Sequence, residues 1–172
     1  MTKLFTSKII GGIGSTLIVI SPFISVLGII TGLSGIILLL IALKNFSDFY
    51  NNKEIFQKFL IGLLIGIAGS ILGIVVQGGE KFNLAEIYYN KNYWKLNLIL
   101  GFLVMYISTI LACYFYKESL YSLFKSTNHK LFDTTGKILF YSAILVIVFG
   151  LGGVGLLIGW TLLAISFFTF KS

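Results

Sequence analysis

The charged residues of this chain cluster, and between the clusters lie four long stretches without any charge: Ile9 to Leu43, Phe59 to Gly79, Leu96 to Tyr116 and Ile138 to Phe170. The hydrocarbon core of a bilayer is about 30 Å thick and a helix rises about 1.5 Å per residue, so about 20 apolar residues make one span. The two middle stretches, at 21 residues each, predict one span apiece. The outer two contain 35 and 33 residues. As straight helices they would be about 50 Å long, more than tilt absorbs, so each predicts a folded-back pair. Ser21 and Pro22 mark the first reversal, and Gly150, Gly152, Gly153 and Gly155 the second. Proline removes a backbone donor and glycine permits left-handed backbone, which favours a turn at both places. The expected helices are 5–20, 24–43, 56–77, 96–116, 136–150 and 153–170. The first and fifth are short enough to be partial insertions.

Composition sharpens this picture. The chain has 172 residues, 57% hydrophobic and 11% charged, with a mean hydropathy of +0.98, whereas a soluble domain carries roughly 25% charged residues. A soluble enzyme, a disordered chain and a disulfide-stapled scaffold are all excluded; the lone Cys113 reads as a small packing residue. The net charge of +7 comes from 13 basic residues, all lysine. Six spans place ten lysines on one face and only Lys81, Lys91 and Lys95 on the other, while four spans would divide them six against seven. The excess of lysine on cytoplasmic loops therefore selects six. The fold class is all-α: a polytopic integral membrane protein of about six transmembrane or partly inserted helices. It forms one domain over 1–172, multi-pass in the cell membrane with both termini cytoplasmic, built as a hairpin at 5–43, a central pair at 56–116, a cytoplasmic amphipathic connection at 117–135, where Leu120, Leu123 and Phe124 at helical spacing predict a continuation of the fourth helix, and a hairpin at 136–170.

A shift of 124 positions places Gly28, Leu33, Gly35, Leu38, Leu39, Ile41 and Phe46 on Gly152, Leu157, Gly159, Leu162, Leu163, Ile165 and Phe170, seven identities in 19 positions. Such a match predicts a parallel repeat of the N- and C-terminal hairpins around the central pair. Small residues recur at helical spacing: Gly62, Gly66, Gly69 and Gly73 on one face of the third helix, Gly28, Gly32 and Gly35 on the second, Gly152, Gly155 and Gly159 on the sixth. In lipid there is little hydrophobic drive between helices, and close van der Waals contact across small residues supplies much of their association. Such faces serve either packing within the chain or a seam with a second copy or another subunit.

Aromatic residues gather at both predicted interfaces, Phe46, Phe49 and Tyr50 at one, Phe82, Tyr88, Tyr89, Tyr93 and Trp94 at the other. They are expected to be interfacial anchors. The outer loop from Gly78 to Lys95 carries a segment, Asn83 to Tyr89, whose pattern suits a short helix lying on the membrane. The lysines should favour anionic lipid headgroups rather than nucleic acid.

Intramembrane ionisable groups are the usual mark of chemistry in a bilayer. None falls in the interior of an expected span, and His129 lies in a connection with no second histidine or cysteine at ligand spacing. It reads as a solvated loop histidine. No catalytic residue, cofactor or metal is expected, and phosphate-binding glycine motifs are absent because the glycine clusters lie within apolar helices.

Several runs carry a family resemblance: Gly11-Gly12-Ile13-Gly14, Ser21-Pro22-Phe23, the glycine-spaced run Gly28 to Leu43, Ser47-Asp48-Phe49-Tyr50, Ile55-Phe56, Lys117-Glu118-Ser119-Leu120, Lys130-Leu131-Phe132, Gly136, and Ala164-Ile165-Ser166-Phe167-Phe168. The chain resembles the small prokaryotic, mainly archaeal membrane proteins filed as domain of unknown function nine hundred and ninety-six. The resemblance implies a multi-span protein and brings no substrate, cofactor or catalytic residue. The leading functional expectation is a non-catalytic accessory or scaffolding component, packing through its glycine-rich faces against itself as a homo-oligomer or against a larger membrane complex. A small-solute channel or carrier is the alternative, and a membrane enzyme has the least support.

Overall fold

Helices form where the apolar stretches lie and then run beyond them. A computed structural model, which describes residues 2–25, 27–77, 96–146 and 151–170, contains six α-helices: α1 Thr2–Ile20, α2 Gly28–Phe49, α3 Lys53–Val76, α4 Leu96–Thr127, α5 Lys130–Leu145 and α6 Leu151–Thr169. Each packs against its neighbour in sequence, and α6 returns to α1, so the six close into a ring of antiparallel pairs. All but α5, which has 16 residues, are long and apolar enough to cross a membrane. The protein is thus all-helical, with five such helices among the described residues where the apolar stretches predict six.

Several boundaries differ from those expected. α2 starts only at Gly28, passes Leu43 and ends at Phe49, α3 starts at Lys53, and α4 continues to Thr127 as the amphipathic spacing beyond Lys117 predicts. The segment 117–135 is therefore two helix ends meeting at Asn128 and His129. Lysine and glutamate are good helix formers, so a charge marks where a helix leaves an apolar environment and does not stop its backbone. Two asparagines do that: Asn51 (φ 48°) and Asn128 (φ 55°) adopt left-handed backbone, which asparagine tolerates better than most side chains. Asn52 then caps α3, its side-chain oxygen accepting from the Glu54 N–H at 3.2 Å while its amide donates to Ser126 Oγ at 3.2 Å.

The first reversal lies where Ser21 and Pro22 predict it, as a single 3₁₀ turn over Ser21–Phe23. Around the second, Gly150 lies outside the described residues, and Gly152, Gly153 and Gly155 belong to α6. At least Gly152 is needed for close approach: a Cβ there would run into the Ser142 carbonyl and the Val146 backbone.

The core sits at one end of the ring. Leu4 of α1, Leu39, Leu43 and Phe46 of α2, Ile55 and Phe59 of α3, Leu120 and Leu123 of α4, Phe132 and Leu139 of α5, and Leu163 and Phe167 of α6 form one buried cluster. Every helix contributes, and Phe46 ties two of them together by packing on Phe167 and Phe170, each with ring centroids 5.8 Å away.

Candidate functional site

The same end holds the charge. All nine described lysines and all four described carboxylates stand on the helix ends that converge there: Lys3 and Lys8, Lys44 and Asp48, Lys53, Glu54 and Lys58, Lys117, Glu118 and Lys125, and Lys130, Asp133 and Lys137. Where α3 meets α4, Lys58 Nζ lies 2.8 Å from Glu54 Oε2 and 3.8 Å from Glu118 Oε2, and Lys117 Nζ lies 3.3 Å from Glu118 Oε1. Ser122 donates to Glu54 at 3.0 Å and Ser119 to the Ile55 carbonyl. Lys117 also rests over the rings of Tyr114 and Phe140, at 5.3 and 5.4 Å from their centroids. These groups make a collar around the core. Lys81, Lys91, Lys95 and Lys171 lie outside the described residues.

Away from the collar the helices pair through the glycine stripes, and the structure places each stripe against a neighbour within the chain. Cβ atoms on Gly62, Gly69 and Gly73 would press on Ala112 and Tyr116, on Ser108, and on Met105 and Gly101, all of α4. Gly28 and Gly32 face Ser21, and Gly35 faces the α1 backbone at Gly14 and Ile18. Gly152 and Gly155 face Ser142, and Gly159 faces Leu139 of α5. Hydroxyls on these helices are used locally: Ser70 and Thr109 each donate at 2.8 Å to a carbonyl of their own helix, and Tyr106 donates to the Ile144 carbonyl at 2.7 Å.

Gly66 differs from the rest of its stripe. Its nearest contact would be Ala112 Cβ at 3.6 Å, an ordinary distance. It opens on a lateral crevice of about 410 Å³ walled by α3, α4 and α6, including Leu63, Ile67, Ile71, Ala112, Cys113, Leu156 and Trp160. Tyr116 also lines it, where its ring meets Trp160 edge-on at 6.0 Å and Phe59 face-on at 4.5 Å. The crevice was not legible in the chain, since its walls are ordinary apolar residues brought together from three helices.

Of the expected interface anchors, Phe49 is exposed and Tyr50 is half-buried and stacked on Phe46, whereas Phe46 is no anchor: it is fully buried in the core, because its face of α2 turns toward Phe167 and Phe170. Phe82, Tyr88, Tyr89, Tyr93, Trp94 and the segment 83–89 lie outside the described residues. His129 departs from the solvated loop residue the sequence suggests. It is half-buried, edge-on to Phe132 at 5.5 Å and Phe170 at 6.0 Å, with Nε2 3.3 Å from Thr169 Oγ1.

Burial, and then the positive field of Lys8, hold the His129 imidazole below its ordinary pKa of 6.5. The folded protein therefore resists a proton that the unfolded chain accepts, so His129 contributes stability above pH 6.5 that is lost as the pH falls through 6.5 toward the lower folded value. Between pH 7.5 and 5.5 the melting temperature in detergent is expected to fall further for the wild type than for His129→Gln. Equal drops would remove His129 from the acid response.

This geometry defines a class: an all-helical bundle, five of its helices apolar and long enough to cross a membrane, with a charged collar at one end and a lateral crevice beside it. The chain belongs to the protein family of unknown function DUF996, whose sequence profile matches residues 31–161. It is 28% identical over 147 residues to an uncharacterized protein of Methanocaldococcus jannaschii, covering 85% of this chain and 81% of that protein. No solved structure matches it. The family match extends across the segment 78–95.

Proposed function

We propose that this protein is a multi-pass component of the cell membrane, both termini cytoplasmic, that serves as a non-catalytic accessory or scaffolding subunit. The observation that carries the reading is the packed core that closes the charged end of the ring. Phe46, Phe132, Leu39, Leu43, Ile55, Leu120, Leu123, Leu139, Leu163 and Phe167 have no exposed surface, and they come from five of the six helices. A channel or carrier, the alternative, needs a polar lining or a ring of exposed carbonyls; a plug of phenylalanine and leucine disfavours both. Since the glycine stripes, Gly66 apart, are filled from within the chain, contacts to a partner fall to the outward apolar faces, such as Ile29, Leu33 and Ile37 of α2.

The division of labour along the helices suits this placement. The hydrophobic effect operates only where water is the competitor, and the packed core lies at the charged end, which would face it. Deeper in the bundle, apolar side chains face outward and the helices pair through small residues, as lipid surroundings require. The lysine collar matches a cytoplasmic face beside anionic headgroups. Positions 124 apart also support a parallel repeat of the two hairpins. Gly28 and Gly152 both begin a second hairpin helix against a backbone carbonyl, Leu39 and Leu163 are both fully buried, and Phe46 and Phe170 meet ring to ring.

Gentle extraction of tagged protein at native abundance, followed by mass determination of the intact assembly, tests the role. A stoichiometric foreign subunit is expected, whereas specific and saturable solute flux in proteoliposomes would replace this reading with the carrier. For topology, a cysteine at Lys91 in a Cys113→Ala background should react with an impermeant thiol reagent outside intact cells, and one at Lys53 should not. Reversed labelling would invert the orientation, and labelling of both would refute the number of spans.

A further inference from the structure

We propose that the crevice between α3, α4 and α6 seats one hydrocarbon tail of an anionic membrane lipid whose headgroup lies at the lysine collar. The inference rests on the membrane placement above and concerns a site separate from any partner surface. α3 packs closely on α4 and only lightly on α2, while α6 packs on α5 and α1; no described residue of α1 or α2 lines the crevice, so it stays open on the α2 side. Its walls offer a polar ligand little: Ser70 and Thr109 line it with hydroxyls already donated to Gly66 and Met105 carbonyls. An apolar cleft of about 410 Å³ left empty forfeits dispersion contacts along its whole lining. Among bilayer components, a lipid tail is the apolar chain that enters from the side and restores them.

Two features separate a built seat from a chance gap. Gly66 lacks the tight interhelical contact that accounts for Gly62, Gly69 and Gly73, and any larger side chain there would project toward the cleft. The Tyr116 ring, stacked on Phe59 and edged by Trp160, stands where the cleft approaches the collar, since Lys117 and Lys58 are the next residues along α4 and α3. The choice of an anionic lipid follows from charge complementarity, because nine lysines outnumber four carboxylates on the helix ends at that level.

Trp160 reports directly on the cleft once the other tryptophan is removed by Trp94→Phe. That protein is reconstituted into phosphatidylcholine vesicles containing a minority of phosphatidylglycerol with brominated tails, and in parallel with the bromine on a minority of phosphatidylcholine in phosphatidylglycerol. Trp160 quenching by the brominated anionic lipid should exceed its share of the bilayer, and quenching by brominated phosphatidylcholine should fall below its share. Gly66→Leu, or Leu156→Phe filling the cleft from the α6 wall, should lose the excess. Quenching that follows mole fraction for both lipids, or that both fillings leave unchanged, would overturn the seat and reduce the contact to bulk lipid. Failure of the protein to float with vesicles would instead overturn the membrane placement itself.

Discussion

Phe46→Ala is expected to cost about 3–5 kcal/mol, the range for deleting a fully buried phenylalanine, because it removes transfer energy and leaves a cavity its neighbours only partly close. Phe46 has no exposed surface and joins α2 to α6 through Phe167 and Phe170 while stacking on Tyr50. Its loss should therefore weaken closure of the ring, not a single hairpin. Equilibrium unfolding in detergent measures the effect, with Ile37→Ala as the comparison: Ile37 is 56% exposed on the outward face of α2, and a surface change of that kind stays within about 0.5 kcal/mol. Similar losses for both would mean that the buried cluster does not hold the bundle together.

Gly35→Ala should have the next largest effect, for the opposite reason: it adds an atom where two helices touch backbone to backbone. A Cβ at Gly35 would stand 2.7 Å from the Gly14 carbonyl oxygen and 3.0 Å from the Ile18 nitrogen. Neither is the end of a flexible side chain, so α1 and α2 must separate, and overpacking of this kind costs about 1–3 kcal/mol. Gly66→Ala is the matched control. Its added methyl would meet only Ala112 Cβ, at 3.6 Å, and exchanging glycine for alanine inside a helix gains about 0.5–1 kcal/mol. The two substitutions should thus move the unfolding midpoint in opposite directions. Equal shifts would show that helix propensity, not interhelical distance, governs the stripes.

That contrast shows how far the linear pattern reaches. Spacing of four, three and four put Gly62, Gly66, Gly69 and Gly73 on one face of one helix, and the helix does carry them there. It said nothing about which of the four would press on a neighbour, because that depends on where α4 crosses α3 and how far α6 stands off. The turn at Ser21 and Pro22 was legible since proline acts locally. The amphipathic continuation of α4 past Lys117 was legible from its helical spacing, whereas the end of α2 was not, because its stop signal, Asn51, is a single residue in a charged segment.

What the sequence determined by itself was the helical class, the uncharged lengths along which the helices form, and the one-ended bias of lysine. Each follows from properties that add residue by residue: hydropathy, rise per residue, charge. The tertiary structure decided where the core lies, that His129 is half-buried against Phe132 and Phe170, and that three helices leave a cleft at Gly66. Those depend on distances between residues far apart in the chain, and apolar helices of similar composition carry no local signal of which neighbour they will meet.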